Sequence, residues 1–243
     1  RDEIKGRTCI FLPHMYTAEK YAAARLTLMA AVPPADAANV GRRIDGMEKQ
    51  FGIRYEAAQR TAISQAIERG VLVLTGGPGT GKTTIVKALL DIFRSMDMDV
   101  ALAAPTGRAA KRLSEATSYE AKTIHRLLEF EYQNEENERA GFRRNENDLL
   151  DENVIIIDES SMIDNYLMCS LLKAIKPGAR LILIGDADQL PSIGAGNVLH
   201  DMIESGMLPV VELKEVFRQA QRSLIVTNAH KIVAGENPDL TRR

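Results

Sequence analysis

The sequence predicts an α/β fold: a doubly wound, mostly parallel sheet with a β-hairpin insertion and a helical segment in front. Three observations predict it. Five short runs rich in Val, Ile, Leu and Ala (71–74, 100–104, 154–157, 181–184 and 210–213) are separated by helix-length stretches, the pattern of strands buried on both faces. A glycine-rich turn follows the first run directly. The stretch 130–153 interrupts the alternation with polar and acidic residues.

In chain order, Tyr21, Arg25, Leu28, Met29 and Val32 recur at helical spacing until Pro33 and Pro34 stop the helix. A weaker helical stretch follows over about 35–50. Residues 1–50 read as the end of a preceding domain plus a linker; a helical cap on the main domain is the alternative. Residues 51–243 read as one α/β domain. Its first helix sets Tyr55, Ala58, Ala62, Ile63 and Ala66 on one face and ends at Gly70, an ordinary helix stop. Strand 71–74 leads through the glycine-rich turn into a helix reaching Met96, and the later strands repeat the unit. Within 130–153, two strand-like arms (130–133 and 142–144) flank a polar tip, which predicts a hairpin; a plain acidic loop is the alternative.

Composition removes several function classes. A chain of 243 residues with 45% hydrophobic and 26% charged residues can bury a sizeable core and is too apolar to be disordered. No apolar run approaches the ~20 residues a bilayer requires, so a membrane role is set aside. Cys9 and Cys169 have no partner motif, which excludes a disulfide scaffold or zinc ribbon and fits a reducing, cytoplasmic compartment. The chain begins at Arg1 without a signal-peptide pattern and reads as a piece of something longer. Net charge is −2, yet eight acids against three arginines put −5 into 131–152, leaving +3 on the rest. A mildly basic body keeps nucleic acid open as a partner.

The chemistry starts at Gly76-Gly77-Pro78-Gly79-Thr80-Gly81-Lys82-Thr83, followed by Thr84. Strand, glycine-rich loop, Lys-Thr and helix make a phosphate cradle. Glycines let main-chain N–H groups approach phosphate oxygens, and the helix N-terminus adds unpaired donors. Lys82 can reach the β- and γ-phosphates, and the Thr83 hydroxyl can ligate Mg²⁺. The chain is thereby expected to be a P-loop NTPase with a site for a nucleotide and Mg²⁺. Asp158 and Glu159 end the strand 154–157, where ligands bind in open α/β sheets. Asp158 is the candidate second metal partner and Glu159 the candidate base for the attacking water. After the strand 181–184, Gln189 is a candidate for the γ-phosphate or that water, although Gly185-Asp186-Ala187-Asp188 is also simply a good turn.

The ordered set GGPGTGKTT, APTGRAAKRLSE, KTIHRLLE, VIIIDESSMID, LILIGDADQLPSIGAGNVL and VELKEVFRQ resembles the first RecA-like motor domain of superfamily-one helicases, and most of all their RecD-like branch. The resemblance runs from about residue 55 to 239. It implies an ATP-hydrolysing DNA helicase that moves 5′→3′ on single-stranded DNA, in repair or recombination. It also implies that Gln59 reads the adenine ring and that Arg218 contacts the γ-phosphate. Pro105, Thr106, Gly107 and Arg108, with Thr123 and His125, are implied to face single-stranded DNA. The hairpin would be a pin that helps to split the duplex, and a second RecA-like domain would supply the rest of the active site, leaving the piece alone largely inactive. Rival readings are an RNA motor, the helicase part of a relaxase, and a nucleotide-gated binding module without turnover. Arg108, Lys111 and Arg112 on one helix face could equally be a solvated face.

Overall fold

The computed structural model describes residues 2–4, 6–32, 34, 39–132, 140–215 and 223–240. A small antiparallel pair, β1 (Asp2–Ile4) and β2 (Arg7–Cys9), precedes α1 (Pro13–Ala31), α2 (Val40–Phe51) and α3 (Ala57–Glu68). The α/β part follows as β3 (Val71–Gly76), α4 (Lys82–Ser95), β4 (Val100–Ala104), α5 (Gly107–Thr117), β5 (Ala121–Thr123) and α6 (Ile124–Leu127). The hairpin strands β6 (Phe130–Glu131) and β7 (Gly141–Phe142) come next. Then come β8 (Val154–Ile157), α7 (Asn165–Ala174), β9 (Arg180–Gly185), α8 (Val198–Glu204), β10 (Val210–Leu213) and α9 (Leu224–Val233).

The main sheet has the order β10-β3-β9-β8-β4-β5, and every pairing in it is parallel. It has six strands where the apolar runs predict five. The extra one, β5, is three half-buried residues with Lys122 at its centre, so it carries no apolar run to betray it. The four central strands behave as two-sided burial requires. Val71, Val73, Ile155, Ile157, Leu181 and Leu183 join one hydrophobic cluster, while Leu72, Leu74, Val154, Ile156, Ile182 and Ile184 join the other. Period-two alternation sends successive side chains to opposite faces, and both faces are covered.

The N-terminal helices are built into those two clusters. α1 contributes Ala22, Leu26 and Met29 to the first, and α2 contributes Val40, Ile44 and Met47 to the second. The buried face of α1 is therefore offset from the one the spacing predicts: Leu28 and Val32 are exposed, at 54% and 56%. Arg25 instead ties α1 to the end of α7, its guanidinium donating to the Ile175 carbonyl at 2.9 Å. Gly70 also has a different reason from the predicted helix stop. α3 closes at Arg69 in an extended conformation. A Cβ at Gly70 would lie 2.3 Å from the Met29 carbonyl oxygen, so the residue is small because the end of α1 rests on it.

The hairpin forms, with shorter arms than expected. Phe130 pairs with Phe142 and Glu131 with Gly141; Arg143 and Arg144 lie beyond the pairing, and the tip 133–139 is outside the described residues. The acidity of this stretch is partly neutralised locally. Arg144 pairs with Glu129 at 3.0 Å and Asp148 at 3.2 Å, and Lys173 reaches Glu146 at 3.4 Å. No helix of the described residues is long and apolar enough to cross a membrane.

Gly70→Ala is expected to lower stability by about 1–3 kcal/mol, because the new methyl must displace the carboxyl end of α1. A urea midpoint equal to that of the wild type would show that α1 does not rest on β3.

Candidate functional site

The loop between β3 and α4 is shaped by main-chain constraints before any ligand is considered. Gly79 and Gly81 have φ of 78° and 88°, the left-handed region that side chains resist. Thr80 is buried, and its hydroxyl donates to the Gly77 carbonyl at 2.8 Å, closing the turn. Lys82 opens α4 with its Nζ donating to the carbonyls of Gly76 and Gly77, the latter at 3.1 Å. Thr83 and Thr84 follow in the first turn, Thr84 N–H donating to the Gly81 carbonyl at 3.0 Å. The loop has a neighbour that the motif does not announce. His230 of α9 donates from Nε2 to the Pro78 carbonyl at 3.0 Å. A Cβ on Gly77 would stand 2.7 Å from the His230 ring.

Four strand ends beside the loop are tied together by single hydrogen bonds. Thr75, at the end of β3, accepts from Ala187 N–H at 3.3 Å beyond β9. Ser160, beyond β8, donates to the Ile184 carbonyl at 2.9 Å. Asp158 N–H donates to the Ala103 carbonyl of β4 at 2.9 Å. These bonds hold Lys82, Asp158, Glu159 and Asp186 as one group of charges. Burial pushes the Asp158 carboxyl up to about 6, with the Glu159 charge adding to the effect; the Glu159 N–H and Lys82 oppose it. Burial likewise lowers Lys82, against the pull of Asp186, Asp158 and Glu159. Glu159 itself sits at φ 54°, ψ 39°, a left-handed conformation costing a non-glycine residue roughly 1–2 kcal/mol. Strain of this kind is concentrated at working sites.

Thr83, Asp158, Glu159 and Gln189 line one groove of about 500 Å³ together with Thr106, Arg108 and Arg112. A hydroxyl and a carboxylate facing a common space are the hard oxygen donors that suit Mg²⁺. Gln189 is anchored by its own turn: its N–H donates to the Asp186 carbonyl at 3.2 Å and its Nε2 to the Asp186 carboxylate at 3.3 Å. Asp186 is buried at 5% exposure, so this carboxylate is a structural part of the site and not the solvated turn residue its sequence context allows. Gln59 lies in the first turn of α3, which runs back along β3 and so begins at the same sheet edge. Its Oε1 accepts from Glu56 N–H at 3.1 Å, while its buried Nε2 has no partner among the described residues. An unpaired buried donor of this kind suits a ring nitrogen of adenine.

The residues expected to face DNA continue outward along the same edge. Pro105 follows β4; Thr106 caps α5, its hydroxyl accepting from Ala109 N–H at 3.2 Å; Gly107 and Arg108 form the first turn. Arg108 and Arg112 thus share the nucleotide groove, whereas Lys111 pairs loosely with Glu115 in solvent, as the solvated-face alternative has it. Thr123 ends β5 and caps α6, accepting from Arg126 N–H at 3.1 Å, and it lines a second groove with His125. Arg218 lies outside the described residues.

The family model described as "AAA domain" matches residues 54–242. The chain belongs to this family. As an AAA domain it is 40% identical over 233 residues to the "ATP-dependent RecD2 DNA helicase" of Deinococcus radiodurans, covering 96% of this chain and 31% of that protein. It is 41% identical over 203 residues to the "RecBCD enzyme subunit RecD" of Mycobacterium tuberculosis, covering 73% and 34% respectively. Among solved structures, the Pif1 helicase from Candida albicans superposes with a TM-score of 0.56 at 25% identity, covering 77% of this chain and 46% of that one. The RecD-like resemblance carried by the motifs, and the RecA-like P-loop fold it implied, both hold. This AAA domain spans about a third of the length of the curated relatives it matches.

His230 and Asp186 were not legible as site residues. Spacing offers no signal for a histidine 152 positions beyond Pro78, and an aspartate in a Gly-Asp-Ala-Asp turn looks exposed until the strand ends close over it.

Asp158 makes stability depend on pH. Its folded carboxyl keeps a proton up to about pH 6, while an unfolded aspartate releases one near 3.8. This group therefore favours folding fully below about pH 4, and that contribution is lost as pH rises through 6. Asp158→Asn carries no such loss. Its stability relative to the wild type is expected to rise between about pH 4.5 and about pH 7.5, by at most about 3 kcal/mol. Parallel urea melts at the two pH values measure it; a constant difference would place Asp158 in solvent.

Proposed function

We propose that this AAA domain is the nucleotide-binding half of an ATP-dependent DNA helicase motor, and that the protein carrying it hydrolyses ATP to move on single-stranded DNA and unwind duplex DNA. The observation that carries the reading is the sharing of one groove by Thr83, Asp158, Glu159 and Gln189 beside the half-buried Lys82. Movement 5′→3′, a part in repair or recombination and a second RecA-like domain closing on the groove belong to the same proposal, supported by the likeness to RecD-type helicases.

In this reading Lys82 exchanges its loop carbonyls for phosphate oxygens, a charge-assisted contact in a site that already disfavours its charge. Gln59 Nε2 donates to adenine. Thr83 and Asp158 would hold Mg²⁺, which would supply positive charge at the phosphoryl oxygens. Glu159 accepts the proton of the attacking water. Gln189, with Nε2 engaged by Asp186, offers Oε1 as the acceptor that orients that water. Arg218 adds positive charge at the γ-phosphate, and a second domain supplies the rest. Arg108 holds the DNA backbone beside the nucleotide groove, so that strand grip and hydrolysis share a wall.

Lys82→Ala is expected to weaken Mg-ATP binding by about 1.5–3 kcal/mol, roughly 10- to 150-fold. Glu159→Gln is expected to keep that binding and cut steady-state phosphate release by roughly 10²–10⁴-fold, with single-stranded DNA present, in the protein carrying this domain. Wild-type turnover in Glu159→Gln would move the base elsewhere; no turnover in the wild type would leave a nucleotide-gated binding module.

Charge reversal at Arg108 is expected to lower affinity for single-stranded DNA and to flatten its dependence on log salt by about 0.7 for each phosphate no longer held. An unchanged slope would assign Arg108 to the nucleotide alone.

A further inference from the structure

The outer part of the sheet edge carries aromatic surface that nucleotide chemistry does not use. Five rings run in contact across the base of the hairpin. Tyr132 meets Phe130 edge-on, with centroids 5.3 Å apart. Phe130 meets Phe142 at 5.1 Å and His125 at 5.7 Å, and Phe142 meets Tyr166 at 6.2 Å. The inner rings support one another, as the register Phe130↔Phe142 dictates. The outermost ring is different: Tyr132 is 77% exposed. Among the described residues this large ring has one ring contact, at its edge, and is otherwise open to water, which leaves a face for stacking.

Its surroundings select the partner. Tyr132 lines a groove of about 760 Å³ with Lys122, Thr123, His125, Arg126 and Glu129, within the size range of small-ligand sites. Glu129 is the one acid on that lining, and Arg143 and Arg144 hold it at 3.1 and 3.0 Å. Its hydrogen bond from Arg144 keeps its carboxyl below the usual range, so it is ionised and already neutralised. Among the described residues, neither Lys122 nor Arg126 has a carboxylate within ion-pair distance. Among the described residues the groove thus offers a flat apolar ring beside two cations, of which Lys122 acts on Glu129 only at longer range than an ion pair. Bases inside a duplex already stack on each other, whereas unpaired bases have free faces; ring plus cations is the chemistry that binds a single strand.

We propose that Tyr132 stacks on an unpaired base of single-stranded DNA and that Lys122 and Arg126 hold the neighbouring phosphates. The proposal rests on the helicase reading above and deepens it. It adds a base-contacting position at the root of the hairpin, outside Pro105–Arg108 and beyond Thr123 and His125. A strand leaving the nucleotide-proximal wall at Arg108 would cross β4 and β5 to reach it, following the order of the sheet.

The test is binding of a fluorescent oligodeoxynucleotide, followed by anisotropy at fixed salt and across a salt series. The wild type is compared with Tyr132→Ala, Tyr132→Phe and Lys122→Ala/Arg126→Ala. Tyr132→Ala is expected to bind about 5- to 150-fold more weakly, the range for one stacked base, with an unchanged salt slope; Tyr132→Phe keeps wild-type affinity. The double variant is expected to flatten the slope by roughly 1.4, as two single-strand phosphates go unheld. On an oligomer of abasic sugars, wild type and Tyr132→Ala should bind alike. Equal affinity of Tyr132→Ala and wild type for base-bearing DNA overturns the proposal, and so does an equal loss on the abasic strand, which would make the residue structural. If the wild type binds no single strand at all, the helicase reading fails together with it; binding that persists without the Tyr132 effect removes this inference alone.

Discussion

The pairing register of β3, β9 and β8 is the constraint on which the site depends. Thr75 stands opposite Gly185, and Ile157 opposite Leu183. Slipping one strand by a single residue would turn its buried set to the wrong face and carry Asp158 or Asp186 away from Lys82. Because both faces are buried, such a slip would invert apolar side chains on two clusters at once. The sheet therefore locks the charges without any residue of the site having to contribute to stability. The links Thr75 to Ala187 and Ser160 to Ile184 then fix the last residue of each strand, where the ladder itself has run out.

This locking holds a set of charges in poor solvation. Lys82 and Asp158 are each pushed by burial toward neutrality and pulled back by one another. The edge thus holds charge of both signs out of water, a demand that the polyphosphate and divalent cation of the proposed function would meet. Lys82 meanwhile rests on carbonyls of its own loop, partners that it can exchange for stronger ones. The left-handed Glu159 fits the same picture: the chain accepts local strain to put a carboxylate beside Asp158.

Much of the site is legible in the sequence because it is written locally. Gly76 to Thr83 announces its conformation through glycine spacing, and the apolar runs announce strands buried on both sides. Asp158 and Glu159 come directly after their strand, so placing the strand places them. The features that sequence patterning misses share a cause. β5 is stabilised by its pairing with β4 and not by apolar residues of its own. The buried face of α1 is displaced because Arg25 reaches a carbonyl 150 residues away. Gly70 resembles a helix stop because its real neighbour, Met29, approaches through a main-chain oxygen. His230 and Asp186 acquire their places only when distant segments close. Beyond the short hairpin arms, Arg143 and Arg144 still donate their main-chain N–H groups to the Glu129 and Leu128 carbonyls, at 3.2 and 3.1 Å, while their side chains pair with Glu129 and Asp148.

The seat of α1 on Gly70 bears on where this unit can be cut. The family model begins at residue 54, after both N-terminal helices, yet Ala22, Leu26 and Met29 share a cluster with Val71 and Val73. A chain trimmed to the family boundary would keep every residue proposed to bind phosphate and strip the cover from one side of the central strands. Homology and folding thus draw different borders on the same polypeptide. The first is set by which residues recur among relatives, the second by where oil would otherwise meet water.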